Sequence, residues 1–159
     1  MGLGTGYMMG CEESVSAVTA TNSVSLGSMR IEDGKEFRYV FNAGTTAVVG
    51  KGVIQSVNSN YTVTVSSAVG DRCFGVVVNA DLTTENYGWV QTRGKAHVSV
   101  VGDHASAATG KGLALGANGG FGAVTTGATG STWAAMEAAR TLETIGTAQT
   151  GSAYLTCKI

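Results

Sequence analysis

The two histidines, and the aspartate beside one of them, are the first candidates for chemistry. His97 and His104 are the only histidines in a chain of 159 residues, and His104 follows Asp103. An imidazole can act as a general base or bind a metal ion, but each role needs partner side chains at a defined spacing. Neither a cysteine pair nor an HxxxH motif accompanies these histidines. We therefore predict no catalytic residue, no metal site and no cofactor. In the strand predicted over residues 95–101, Ala96, Val98 and Val100 face one way, and Lys95, His97 and Ser99 face the other. His97 is thus expected to be solvated beside Lys95.

Two Gly-Lys-Gly steps, at residues 50–52 and 110–112, resemble part of a phosphate-binding loop. A Walker A loop needs four residues between its glycines, and a Ser or Thr after its lysine to bind Mg²⁺. Five residues separate Gly44 from Gly50, and a glycine follows the lysine in both steps. The steps therefore predict turns, and the chain is not expected to be an enzyme.

The three cysteines, Cys11, Cys73 and Cys157, are odd in number and widely spaced along the chain. They include no CxxC pair of the kind that zinc and redox sites use. We interpret them as free thiols of a protein made in a reducing compartment. Cys73 opens an apolar run with Phe74, so we expect its thiol to be buried.

The composition excludes several classes of protein. The chain has 24 glycines, no proline, 13% charged residues and a net charge of −1. Charged residues usually make up about 25% of a globular chain. The balance of charge provides no basic face for nucleic acid. No apolar run approaches the roughly 18 residues of a membrane span, and the first eleven residues do not form a secretory signal. A coiled coil and a helical bundle are also excluded.

Short strand-like runs separated by turn residues fill most of the chain beyond Val24. Asp33-Gly34 between two such runs predicts a tight hairpin, and Arg93-Gly94 predicts a second one. Asn118-Gly119-Gly120 predicts a further turn. The predicted strands cover residues 24–31, 37–41, 47–57, 61–65, 73–78, 87–92, 95–101, 113–115, 123–126 and 153–159. We therefore predict an all-β fold, a single antiparallel β-sandwich or barrel domain.

Two segments depart from the strand pattern. Residues 1–23 show no periodicity, and they predict an extended N-terminal arm in front of a β-rich domain of residues 24–159. Residues 133–140 are rich in alanine and contain Met136 and Glu137, which favours one short helix. An irregular strand is the alternative for that segment.

Apolar side chains outside the predicted strands are candidates for contacts with another subunit. Tyr7, Met8 and Met9 form a cluster in the arm, and Trp133 follows a Gly-Ser-Thr stretch. Large apolar side chains of this kind are typical of interfaces between proteins. The alternative for the arm is a frayed terminus, and for Trp133 it is packing within the domain. Trp89 lies inside a predicted strand, where packing against neighbouring strands is expected.

Several motifs resemble those of small structural proteins from the virions of tailed phages. The motifs, which together span most of residues 24–159, are at residues 26–28, 31–40, 44–47, 70–76 and 145–148, with the segment Tyr-Gly-Trp-Val-Gln-Thr-Arg-Gly at 87–94. Among these proteins the chain resembles capsid decoration, or cement, proteins. The 87–94 segment is the most specific part of the resemblance.

The resemblance implies a subunit that binds the outer surface of an assembled capsid and stabilises it. Its partners would be the major capsid protein and other copies of itself, as a homotrimer, with no nucleic acid and no membrane. It would be made in the bacterial cytoplasm and end on the virion surface. Tyr7, Met8, Met9 and Trp133 then become candidate capsid or oligomer contacts, and no catalytic residue is implied.

Two alternatives remain open at this stage. The chain could be another virion component, such as a head fibre base or a tail accessory. It could also be a carbohydrate-binding β-sandwich that stacks Trp89 or Trp133 on a sugar.

Overall fold

Eleven β-strands make up nearly all the regular structure of the residues that the computed structural model describes, which are 14–56, 60–68, 71–100, 107–124, 137–146 and 148–157. The strands are β1 Val18–Thr19, β2 Met29–Glu32, β3 Lys35–Asn42, β4 Gly52–Gln55, β5 Thr62–Val65, β6 Gly75–Val76, β7 Tyr87–Ser99, β8 Gly112–Leu115, β9 Phe121–Ala123, β10 Ala139–Thr141 and β11 Thr150–Thr156. The predicted all-β fold class is confirmed. Among the described residues, no helix is long and apolar enough to cross a membrane.

The hairpin predicted at Asp33-Gly34 is confirmed. It joins β2 to β3, in a register that runs from Met29↔Arg38 to Glu32↔Lys35. Both turn residues have positive φ, 49° at Asp33 and 74° at Gly34, as a type I′ turn requires. The turn predicted at Asn118-Gly119-Gly120 is also present, as a short 3₁₀ segment that connects β8 to β9.

The hairpin predicted at Arg93-Gly94 is wrong, because β7 continues through both residues as one strand. Opposite β3, the register steps from Glu36↔Arg93 to Phe37↔Gln91, which leaves Thr92 as an extra residue. Gly94 has a φ of 94° but pairs with Leu155 of β11. Gly94 therefore lies within a continuous strand, two residues beyond the bulged Thr92, and the local sequence does not distinguish its positive φ from that of a turn.

The bulge divides β7 between two groups of strands. Up to Arg93, β7 pairs with β3, and from Arg93 to Ser99 it pairs with β11. The side-chain amide of Gln91 holds the bend, because its Nε2 donates to the carbonyl oxygens of Arg93 at 2.9 Å and Lys95 at 3.0 Å. One long strand thereby serves both halves of the molecule.

The first half is a closed circuit of strands, which we call the first barrel. Its pairings run β3–β5–β4–β6–β7 and return from β7 to β3. The β3–β5 pair is parallel and the others are antiparallel, so the sheet is mixed. Each of the four longer strands contributes a fully buried valine to one core; these are Val40, Val53, Val63 and Val90.

The second half, the second barrel, is built around the other end of β7. Its pairings run β7–β11–β10–β8–β9, and a parallel bridge between Val100 and Phe121 closes the circuit. Its core is the largest in the described residues and includes Val98, Leu113, Leu115, Phe121, Ala139 and Leu155. The alternation predicted at Ala96, Val98 and Val100 is confirmed, because all three are buried.

An aromatic layer lies on the outer side of the first barrel. Phe37, Tyr39 and Trp89 are buried there, and Val15, Val24 and Leu26 pack over them. β1 pairs with the start of β7, at Val18↔Gly88 and Thr19↔Tyr87. The predicted strands began at residue 24, so β1 was missed, because Val18 and Thr19 find a partner that is distant in sequence. The division of the chain at residue 23 stays a prediction.

The helix predicted over residues 133–140 is wrong from residue 137 onward; residues 133–136 lie outside the described residues. Ala139–Thr141 form β10, which pairs with both β11 and β8. Ala139 and Thr141 are buried by these neighbours. Helix propensity contributes only tenths of a kcal/mol per residue, so burial between two strands overrides it.

Candidate functional site

The predicted contact residues Tyr7, Met8, Met9 and Trp133 lie outside the described residues, and their role stays a prediction. His104 and Cys11 lie outside as well. In the ranges that the structure describes, no three His, Cys, Asp or Glu side chains come together as a metal cluster. Exposed side chains on the surfaces of the two barrels provide the candidate site described below.

Trp89 does not provide a sugar-stacking surface. Only 5% of the residue is exposed, and its ring meets that of Tyr39 edge-on, with centroids 5.1 Å apart. The expectation that Trp89 packs between strands is confirmed. The carbohydrate-binding hypothesis is wrong for this residue, because a sugar needs an open aromatic face.

The outer side of the second barrel carries a row of basic and aromatic side chains, which we call the β7–β11 face. It consists of Arg93, Lys95 and His97 on β7, Tyr154 on β11 and Arg140 on β10. The three β7 residues are exposed and alternate with buried Gly94, Ala96 and Val98. This period of two follows from strand geometry, because successive side chains point to opposite sides.

The register places the residues of the β7–β11 face in direct contact range. Lys95 lies opposite Tyr154, and Tyr154 lies opposite Arg140, so the three form a row across three strands. Residues directly opposite in antiparallel strands have Cβ atoms about 4.5–5.5 Å apart. Tyr154 is 45% exposed at the centre of the row. An exposed tyrosine between two cations is well suited to a protein partner, since interfaces are enriched in Tyr and Arg.

Two carboxylates border the β7–β11 face and orient its groups. Glu137 forms a salt bridge with Arg140, with an Nη2–Oε1 distance of 3.1 Å. The backbone N–H of Ser152 donates to Oε1 of Glu143 at 2.6 Å. This bond, then one from the Ser152 side chain and the positive charges of His97 and Lys95, lowers the pKa of Glu143. The backbone of β11 thus holds the Glu143 carboxylate at the border of the face.

The β7–β11 face was only partly visible in the sequence. The alternation of Lys95 and His97 was predicted, and both are exposed. Arg93 was assigned to a turn, and Arg140 to a helix. Tyr154 gave no local signal, because only the β7–β11 pairing brings it beside Lys95. The arrangement presents exposed charged and aromatic side chains with which a partner could make contact.

A second exposed patch lies on β2. Met29 and Ile31 are 44% and 68% exposed, on a strand that pairs only with β3 among the described strands. An edge strand with apolar side chains can pair with another chain. Arg30 and Glu32 occupy the alternate positions, with a salt bridge of 3.3 Å between Nε and Oε2.

Cys73 and Cys157 are both free thiols, as predicted, and Cys73 is buried, also as predicted. What the sequence did not indicate is their proximity. Their sulfur atoms lie 3.5 Å apart, although the residues are 84 positions apart in the chain.

Comparison with known proteins gives a likeness of fold. No protein-family model matches the chain, and no curated protein matches its sequence. Among solved structures, the chain is similar to the N base of the head fibre protein gp8.5 of bacteriophage phi29, with a TM-score of 0.54 and 12% sequence identity. The likeness covers 77% of this chain and 96% of the phi29 chain. At this identity it shows a shared fold.

Proposed function

We propose that this chain is a non-enzymatic structural subunit of a phage virion that docks on the outside of the head. The observation that carries the proposal is the fold likeness to a head fibre base, which extends over nearly all of that chain. The motifs that resemble tailed-phage structural proteins support it independently, since they were recognised from sequence alone. The lack of a metal cluster among the described residues is compatible with a binding role.

At that location we propose the role of a decoration protein, which binds the major capsid protein and stabilises the assembled head. The second candidate is the base of a head fibre, and the phi29 likeness favours it specifically. The two roles share one step, the attachment of a small β-domain to the head surface. They differ in what is lost without the protein: the strength of the head in one case and the fibre in the other.

We propose the β7–β11 face as the docking surface. Arg93 and Lys95 give it positive charge, and the Arg140–Glu137 ion pair lies at its edge, while the whole chain has a net charge of −1. Tyr154 adds an exposed ring, and the underlying strands are held by a buried core, so the surface is rigid before binding. A rigid surface loses little entropy on association. An acidic patch on the head surface would complement it.

The function is tested with virions of the phage that encodes this chain, with and without its gene. We expect the protein in mass spectra of wild-type virions, and density at the outer head surface by cryo-electron microscopy. A decoration role predicts that heads without the protein release DNA at a lower temperature. A fibre base predicts heads of normal stability that lack fibres. Absence of the protein from virions, or density only at the tail, would refute the proposal.

The docking surface is tested by charge reversal. Arg93→Glu with Lys95→Glu should weaken binding of purified protein to protein-free heads by at least about tenfold, because two favourable charge contacts become repulsive. Lys51→Glu, which reverses a charge ahead of β4, is the matched control and should bind normally. Circular dichroism confirms that the variants are folded. Equal binding by all three proteins would place the docking surface elsewhere.

We propose a homotrimer as the oligomeric state, since closed rotational symmetry lets one surface patch serve every subunit. The exposed apolar edge of β2 is available for contacts between copies. Sedimentation equilibrium of the purified protein should give three times the 16.1 kDa chain mass. A monomer in solution that also occurs as single copies on the virion would contradict it.

A further inference from the structure

Cys73 and Cys157 meet where the two barrels join. Cys73 lies just before β6 of the first barrel, and Cys157 directly follows β11 of the second. Their Sγ atoms are 3.5 Å apart, within hydrogen-bonding distance. A disulfide has an S–S length of about 2.05 Å, so the two atoms need to approach by roughly 1.5 Å. Small rotations about the side-chain bonds can produce such an approach.

The surroundings of the pair give its two members different access to solvent. Cys73 is 2% exposed and belongs to the core of the second barrel. Its thiol also donates to the carbonyl oxygen of Gly75 at 3.4 Å. Cys157 is half-buried at the rim of the same core and lies 3.8 Å from the carbonyl oxygen of Ala138. A reagent in solution therefore reaches Cys157 first.

We propose that Cys73 and Cys157 form an oxidation site, which a small-molecule disulfide converts into an internal cross-link between the two barrels. In the first step the Cys157 thiolate attacks one sulfur of the reagent, breaks its S–S bond and releases one thiolate. In the second step the Cys73 thiolate attacks Sγ of Cys157, and the second reagent thiolate leaves. Two protein thiols lose two electrons and two protons, and the reagent disulfide is reduced to two thiols.

The environment of Cys73 sets the order of the steps. The hydrogen bond with Cys157, and then burial, raise the pKa of Cys73 well above its usual value. Since the thiolate is the nucleophile, Cys73 is inert toward reagents in solution. It reacts only when a leaving group on Cys157 is placed next to it, which favours the internal cross-link over modification of Cys73 alone.

The cross-link would stabilise the molecule without changing its surface. It closes a chain segment of 84 residue positions, and disulfides across long segments restrict the unfolded chain most. It also fixes the end of β11 to the segment that leads into β6. A protein made with free thiols in a reducing cytoplasm would gain this constraint after release into an oxidising medium. This inference is independent of the proposed virion role.

The test uses the purified full-length chain, reduced and then freed of reductant. The protein is incubated with oxidised glutathione, remaining thiols are blocked with iodoacetamide, and tryptic peptides are analysed by mass spectrometry. We expect peptide 73–93 joined to peptide 141–158. The thermal midpoint should rise by about 5 °C or more and return to its original value with dithiothreitol.

Two variants make the result specific. Cys11→Ser retains the pair and should behave as the wild type does. Cys157→Ser should show neither the joined peptides nor the rise in thermal midpoint, and its folding is checked by circular dichroism before oxidation. The proposal is overturned if Cys11 is the residue joined to Cys73 or Cys157. It is also overturned if both peptides of the Cys11→Ser protein remain blocked by iodoacetamide or glutathione after prolonged oxidation.

Discussion

The two ends of β7 belong to one strand but have opposite surroundings. From Gly88 to Thr92 every residue is buried, because Val90 lies in the core of the first barrel while Trp89 is covered from outside. From Arg93 to Ser99 buried and accessible residues alternate. The difference comes from the segment that carries Val15, Val24 and Leu26, which covers one end only. In the part of the chain that the structure describes, the outer surface is available for binding at the end of β7 that this segment does not cover.

The largest effect is expected from removing the ring at the covered end. Trp89→Ala should destabilise the protein by about 3–5 kcal/mol, because it leaves a cavity beneath the covering segment. Tyr154→Ala, at the open end, should change the free energy of unfolding by less than about 1 kcal/mol. Urea denaturation followed by circular dichroism measures both. Similar losses for the two variants would mean that the ends of β7 do not differ as described.

The close packing next to the bulge that separates the two ends is tested at Gly94. A Cβ on Gly94 would lie 2.9 Å from the carbonyl oxygen of Gly34, at a φ of 94°. Gly94→Ala should therefore cost roughly 2–3 kcal/mol. Gly34→Ala is the matched control, with a φ of 74° and open space around the added carbon, and should cost about 1 kcal/mol. A smaller loss at Gly94 than at Gly34 would contradict the tight approach at the bulge.

Truncation tests the segment that packs over Trp89. Deleting residues 1–23 removes Val15, the β1 pairing and the hydrogen bond of 3.2 Å between the hydroxyls of Ser23 and Tyr39. The barrels should remain folded but lose about 2 kcal/mol of stability. A chain that starts at Ser14 keeps these contacts and is the control. Tryptophan fluorescence should shift to longer wavelength only in the longer deletion; an unshifted spectrum would show that residues 14–23 do not cover Trp89.

The smallest effect concerns Glu143 at the open end. Its pKa is lowered in the folded state, so its contribution to stability is present above the unfolded pKa, about 4.3, and is lost as pH falls through the folded pKa. Glu143→Gln should therefore be less stable than the wild type at neutral pH. The difference in thermal midpoint should shrink as pH falls below the unfolded pKa and vanish once pH is below the folded pKa. A difference that persists in acid would show that the charge is not its source.

Two dipeptides that end in glycine show which parts of the fold can be predicted from local sequence. Asp33-Gly34 and Arg93-Gly94 both stand between alternating runs, and both predict hairpins. Only the first is one, because β2 and β3 pair with each other across it. At the second, β3 and β11 provide successive partners for one continuous strand. Partners so distant in sequence leave no local signal.

Most of the candidate site depended on the same long-range pairings. The exposure of Lys95 and His97 followed from the period-two pattern. Arg140 and Tyr154 joined them only through the pairing of β10 and β11. Helix propensity around residue 137 favoured a helix instead of β10. Propensity reflects local preference and carries no information about the two strands between which these residues pair.

By itself the sequence determined the all-β class, several strands, the alternation of buried and exposed residues, and the burial of Cys73. These properties depend on side-chain type and on strand periodicity, which act over a few residues. Tertiary structure decided the two closed circuits, the cover over Trp89, the row of Lys95 with Tyr154, and the contact between Cys73 and Cys157. All of these bring together residues far apart in the chain, and their positions are set by strand register and closure, which no short segment encodes.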